Sequence, residues 1–167
     1  DRVAHGAYVT KNTLRNNLVG VYIWGAKDAE IRENTITGRD DLRMNERGNG
    51  VYIWNAPGAY VGFNDIEKGR DGIFVNTSKD NVFEGNRMRH LRYGIHYMHT
   101  NTSVVKDNIS EGNHAGYALM YSRRLEISGN ISRGDRDHGI LLNYANGAKI
   151  TDNKVVGNGN KKCIFIY

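Results

Sequence analysis

A glycine followed by alternating apolar residues returns along this chain at a nearly constant interval. Gly-Val-Tyr-Ile-Trp stands at Gly20–Trp24 and again at Gly50–Trp54. Gly72-Ile73-Phe74-Val75-Asn76, Gly94-Ile95-His96-Tyr97-Met98, Gly116-Tyr117-Ala118-Leu119-Met120 and Gly139-Ile140-Leu141-Leu142-Asn143 follow, and Cys163 takes the glycine position in the last copy. The steps between glycines are 30, 22, 22, 22 and 23 residues, then 24 to Cys163. A fixed period of this length marks a solenoid, in which each repeat buries its apolar face only against its neighbours.

The apolar positions say which solenoid. One and three residues after each glycine the chain is apolar, as at Ile95 and Tyr97. Alternation of period two describes short strands with those side chains inward. A second inward column runs through Ile31, Val61, Phe83, Val105, Ile127 and Ile150. Small residues stand six after each glycine, at Ala26, Ala56, Ser78, Thr100, Ser122 and Ala145, and suit tight corners. No stretch sustains a 3.6-residue apolar period, so a helix-bearing repeat is disfavoured. Fourteen residues after each glycine comes an asparagine: Asn34, Asn64, Asn86, Asn108, Asn130 and Asn153, with Asn12 one period earlier. Asparagine accepts the left-handed geometry of a sharp turn. A stacked file of its amides can donate to one coil and accept from the next. The expected fold is all-β, a right-handed parallel β-helix of about 22-residue coils with an internal asparagine ladder. Glu67, Arg89, Glu111 and Arg133 share one column with alternating sign, which predicts a surface charge ladder.

The period makes residues 1–167 one β-helix domain. Both ends fall inside repeats, so the chain reads as a central slice of a longer protein. The 30-residue step places a charged loop insertion near residues 38–48. No run of 18 apolar residues exists to span a membrane. The single cysteine, Cys163, excludes an internal disulfide, and no zinc-ligand spacing appears. The net charge of +5 comes from basic residues scattered among acids, which suits solubility. Arg87, Arg89, His90 and Arg92 form a basic corner flanked by Glu67 and Glu111, and no nucleic-acid motif accompanies it.

The outward columns carry whatever chemistry there is. Two and four residues after the glycines stand Tyr22, Trp24, Tyr52, Trp54 and Phe74, an aromatic face suited to a partner protein or to sugar rings. His96, Met98 and Met120, with His99 beyond the strand end, combine imidazole with thioether. Soft donors of this kind select Cu(I); the same residues would also suit the apolar rim of an interface. His114 and Asp137, one coil apart and beside Asp135 and His138, are close enough for an acid–base pair or a solvated ion pair. Asp107 and Asp152 share a column two coils apart, about 9.6 Å, too far for a retaining glycosidase and at the edge of the inverting range. Asp28 and Asp80 repeat that gap.

Gly-Val-Tyr-Ile-Trp, the segment Asn86–Thr100 and the segment Gly116–Leu125 closely resemble the NosD family of β-helix proteins. The resemblance covers essentially the whole chain. It implies a periplasmic accessory protein that works with the ABC transporter NosF/NosY, the copper chaperone NosL and apo nitrous oxide reductase NosZ in building a copper site. It implies no catalytic motif, no tightly bound cofactor beyond transient Cu(I), and contact with the membrane only through the transporter. The fold alone equally suits a carbohydrate-binding or carbohydrate-cleaving protein. The copper context favours Met98, Met120, His96 and His99 as the metal patch and the Trp24/Trp54 face as a docking surface.

Overall fold

The computed structural model describes residues 4–157 and 162–167. All its regular structure is strand, arranged in three parallel sheets of seven strands each. Every coil gives one strand to each sheet. One sheet runs from Tyr8–Thr10 to Lys149–Thr151, the next from Thr13–Arg15 to Lys154–Val156, and the third from Val21–Trp24 to Lys162–Ile166.

The repeat in the sequence is the register of the sheets. Ile95 pairs with Ile73 on one side and Tyr117 on the other, and Phe83 pairs with Val61 and Val105. Both columns are buried and form the core of the rod. The second sheet's inward column changes character along the axis. It passes through Ile36, Ile66 and Met88, then becomes Ser110 and Ser132, all of them buried.

The glycines that mark the repeat have a steric cause. The pairing runs Tyr93 with Asp71 and Ile95 with Ile73, and Gly94 and Gly72 are skipped between them. A Cβ on Gly72 would stand 2.6 Å from the Gly94 carbonyl oxygen, and one on Gly94 would stand 2.7 Å from that of Gly116. Neither glycine has a positive φ. Only a residue without a side chain lets successive coils pass this closely.

The asparagine file is continuous. The Oδ1 of Asn108 accepts from the backbone N–H of Asn86 and from its Nδ2, both at 2.9 Å. Asn108 in turn donates Nδ2 to Asn130 Oδ1 at 3.0 Å and to the carbonyls of Phe83 and Lys106 at 2.9 Å. The pattern holds from Asn12 through Asn34 and Asn64 to Asn130 and Asn153. The expected reason for asparagine needs correction. The left-handed residue at this corner is the one before it: Glu33, Phe63, Gly85, Asp107, Gly129 and Asp152 have positive φ, and the asparagines do not. Asparagine is present for its amide, which satisfies buried backbone groups that the turn leaves open.

The long coil leaves the stack after Gly38, whose N–H donates to Glu67 O, and rejoins it at Gly48 and Asn49, whose carbonyls accept from Arg70 N–H and Gly20 N–H. Lys68 holds Asp40 at 3.0 Å, and Arg47 donates to the Leu42 and Asp40 carbonyls. The charge ladder forms in two pieces. Arg89 turns to Asp65 and Glu67, whereas Glu111 takes Arg87 and Arg133.

Candidate functional site

The outer face of the third sheet carries two parallel files of side chains. The first holds Tyr22, Tyr52, Phe74 and His96, whose ring centroids follow one another at 4.8, 5.0 and 4.8 Å. The second begins with Trp24 and Trp54, stacked at 6.0 Å, and continues in register through Asn76, Met98, Met120 and Asn143. Trp24 is 67% exposed and Trp54 41%, while Tyr52 and Phe74 are half-buried. The aromatic face expected from the sequence is therefore two adjacent stacks, exposed at the Tyr22, Trp24 and Trp54 end and half-buried at Tyr52 and Phe74.

Met98 and Met120 are direct Cα partners on neighbouring strands, and both are half-buried. Adjacent strands lie about 4.8 Å apart, and the thioether is flexible enough for both sulfurs to meet one ion. An Asn side chain borders the pair on each side, at Asn76 and Asn143.

His96 points outward, as alternation requires, yet is only 8% exposed. The sequence pattern suggested an open position; four neighbours close it. Phe74 stacks on one side, and Tyr93 meets the ring edge-on at 5.0 Å. Asp71, from the preceding coil, places Oδ2 2.9 Å from His96 Nδ1. Arg92 grips the same carboxylate with Nε to Oδ1 at 2.8 Å and Nη2 to Oδ2 at 2.6 Å, and lies over the Tyr93 ring. Burial alone would push the Asp71 carboxyl up; hydrogen bonds from His96 and Arg92, with the Arg92 charge, outweigh it and hold the group below the usual carboxylate range. Burial pulls Arg92 down, and the hydrogen bond and charge of Asp71 more than restore it. His96 Nε2 is buried and has no hydrogen-bond partner among the described residues.

His99 does not join this group. It adopts φ 55° at the corner after the strand face and belongs to another file. Its ring stacks on Tyr121 at 5.3 Å, and Tyr121 stacks on Tyr144 at 5.3 Å with an interplanar angle of 11°. Both tyrosines have positive φ and are exposed. A left-handed conformation costs a bulky residue about 1–2 kcal/mol, so stacking compensates part of that strain. Sequence reasoning missed Tyr121 and Tyr144, although each follows the strand by the same offset as His99. Asp71 and Arg92 do not show in the sequence as partners of His96 because Asp71 stands just before one glycine and His96 two residues after the next, a diagonal contact that neither the coil step nor the alternation encodes.

The other candidate chemistry is thinner. His114 Nε2 and Asp137 Oδ2 are 3.9 Å apart, beyond hydrogen-bond distance, and both are partly exposed. Asp107 and Asp152 occupy left-handed corner positions and are exposed, with Gly129 between them in the stack. Asp135 is a buried carboxyl that accepts from Ser110, Ser132 and the Asn113 N–H; burial pushes it up, and these hydrogen bonds offset that only in part. Among the described residues no group of three or more His, Cys, Asp or Glu side chains could hold a metal ion. The described residues thus build no divalent site of carboxylates and imidazoles, and the Met98/Met120 pair is their soft-donor feature.

Residues 32–167 match the profile of a family described as periplasmic copper-binding protein (NosD). A protein of Stutzerimonas stutzeri named "Probable ABC transporter binding protein NosD" is 37% identical over 98% of this chain, and one of the same name from Pseudomonas aeruginosa is 39% identical over 93%. The chain spans 41% and 36% of the length of these relatives. Among solved structures, the catalytic domain of a GH87 alpha-1,3-glucanase in complex with nigerose superposes with a TM-score of 0.60 at 15% identity, covering 98% of this chain and 37% of the other. At that identity the likeness speaks for the fold alone.

Proposed function

This chain belongs to the NosD family of periplasmic copper-binding proteins, and from that premise we propose that it is a docking and transfer platform for Cu(I) during assembly of the copper site of nitrous oxide reductase. It acts without catalytic turnover. The observation that carries this reading is the register pairing of Met98 with Met120 on the outer face of the third sheet, with His96 two residues before Met98 on the same strand. Two thioethers and an imidazole make a donor set that prefers Cu(I) to the harder divalent ions. His99 lies just around the corner and is a secondary donor on the way in or out. The exposed Trp24/Trp54 end of the aromatic face, with Tyr22, Tyr52 and Phe74, is the surface for a partner protein. The ABC transporter NosF/NosY, the chaperone NosL and apo-NosZ are the partners this role requires.

The sugar-binding alternative finds less support in the geometry. Pyranose rings lie on the flat faces of aromatic side chains. In the file from Tyr22 to His96 the rings follow one another at 4.8–5.0 Å, which leaves no room for a sugar ring between them, so a pyranose would have to lie on the exposed Tyr22 or on the Trp24/Trp54 end.

An anaerobic Cu(I) titration of the full-length protein against a chromophoric chelator tests the site. Met98→Ala/Met120→Ala is expected to weaken binding about 100-fold, near 2.7 kcal/mol. An unchanged affinity would remove these residues from the site. Co-purification with the transporter and chaperone, lost on Trp24→Ala/Trp54→Ala, tests the docking face. A glycan array on which binding disappears with Trp54→Ala would favour the alternative.

A further inference from the structure

We propose that Asp71, clamped by Arg92, presets the His96 imidazole as an Nε2 donor, making it the third Cu(I) ligand beside Met98 and Met120. The inference rests on the copper-carrying reading above and adds to it two residues and an atom.

Arg92 meets Asp71 with two parallel contacts, Nε to Oδ1 at 2.8 Å and Nη2 to Oδ2 at 2.6 Å. A carboxylate in such a fork is ionised and can only accept. Asp71 Oδ2 is also 2.9 Å from His96 Nδ1, so Nδ1 must carry the proton between them. The Arg92 Nη2 contact with Nδ1, at 3.3 Å, then sets donor against donor and is no hydrogen bond. With the proton held on Nδ1, a neutral imidazole carries its lone pair on Nε2. That nitrogen is the one buried without a partner among the described residues.

An unpartnered acceptor of this kind costs stability, and native proteins retain few of them without cause. Packing alone does not need the two nitrogens, since Phe74 fills the same position one coil earlier. Metal-bound histidines, by contrast, characteristically donate their distal N–H to a carboxylate, which fixes the tautomer and raises the basicity of the ligating nitrogen. His96 and Met98 alternate on one outer face of the strand Tyr93–Asn101, and Met120 is in register with Met98. The three residues thus share one outer face, His96 and Met98 two apart on one strand and Met120 beside Met98 on the next. Asp71 and Arg92 are positioning residues here, since neither touches the ion.

The test uses the full-length protein with ¹⁵N-labelled histidine, under anaerobic conditions. In the copper-free wild type the His96 signals are expected to report a protonated Nδ1 and a lone pair on Nε2. Addition of Cu(I) alone is expected to shift the Nε2 signal and leave Nδ1 protonated. Asp71→Asn, whose carboxamide can donate to Nδ1, is expected to mix the tautomers and weaken Cu(I) binding 10- to 100-fold, with Asp71→Glu recovering part of the loss. If Asp71→Asn fails to fold, the wild-type spectra decide alone. A proton found on Nε2 in the copper-free protein overturns the proposal. So does a Cu(I) complex, still sensitive to Met98→Ala/Met120→Ala, in which Nε2 does not move; that result leaves the platform reading intact. Absence of any Cu(I) binding in the wild type sinks the platform reading as well.

Discussion

The asparagine file inside the rod and the His96 position outside it are built by the same device, a polar side chain set against its counterpart one coil away. They end differently. From Asn34 to Asn130 every carboxamide accepts from the coil before and donates to the coil after, together with backbone carbonyls. At His96 one nitrogen is secured by Asp71 and the other has no partner among the described residues. The inner file closes its own hydrogen-bond account, so its residues report on folding. The outer position leaves one nitrogen of a nearly buried imidazole without a partner among the described residues, the gap that the proposed Cu(I) ion would fill.

The inner file should show the largest effect. Asn108→Ala removes an Oδ1 that serves two donors on Asn86 and an Nδ2 that serves Asn130. It should cost about 3–6 kcal/mol of stability in denaturant unfolding while leaving Cu(I) affinity of the folded fraction unchanged. Copper affinity that tracked this loss would mean the two files are not separate. Gly94→Ala comes next. Its new methyl meets the Gly116 carbonyl, and a loss of about 2–3 kcal/mol is expected. A loss below about 1 kcal/mol would show that successive coils can move apart.

A smaller effect separates carboxamide from carboxylate inside the rod. Asn113 Oδ1 accepts from Leu91 N–H, and Asp135 takes the same place one coil on, accepting from Asn113 N–H. Burial raises the Asp135 carboxyl above its usual value. A raised acid contributes stability that is fully present below its unfolded value and lost as pH climbs through the folded one. Asp135→Asn should therefore stabilise the protein by about 1 kcal/mol near pH 7, with the gain vanishing below about pH 4. A gain independent of pH would assign the effect to something other than charge. The smallest pair lies in the core. Tyr117 places its hydroxyl 2.9 Å from the Asn108 and Ile131 carbonyls, whereas the buried Tyr97 hydroxyl has no partner among the described residues. Tyr117→Phe should cost about 1 kcal/mol and Tyr97→Phe should cost nothing or stabilise slightly, as thermal midpoints will register.

The fold was legible because its period is covariant across several residue types at once. Glycine, the two apolar columns and asparagine all return together, and each has a local physical reason. The register pairs of Ile95, Phe83 and Met98 could be written down from the steps alone. What the sequence withheld were contacts along a diagonal. Asp71 precedes its glycine and His96 follows the next one, so their meeting depends on the skipped glycine register, which alternation does not encode. For the same reason His96 looked open and is covered. The Tyr121 and Tyr144 stack was hidden by a backbone conformation that bulky residues seldom adopt. The substitution of serine for isoleucine along the second sheet, which makes room for Asp135, carried no period to notice.

A coil-by-coil stack has one more consequence. Because each turn adds the same rise of about 4.8 Å, the rod is graduated like a ruler, and sites on its face can be separated only by whole divisions. Trp54 and Met98 share a file two divisions apart. A protein that grips the indoles while reaching the sulfurs is held to that spacing. Inserting or deleting one full turn would shift the reach by a single notch and leave the chemistry at either end untouched.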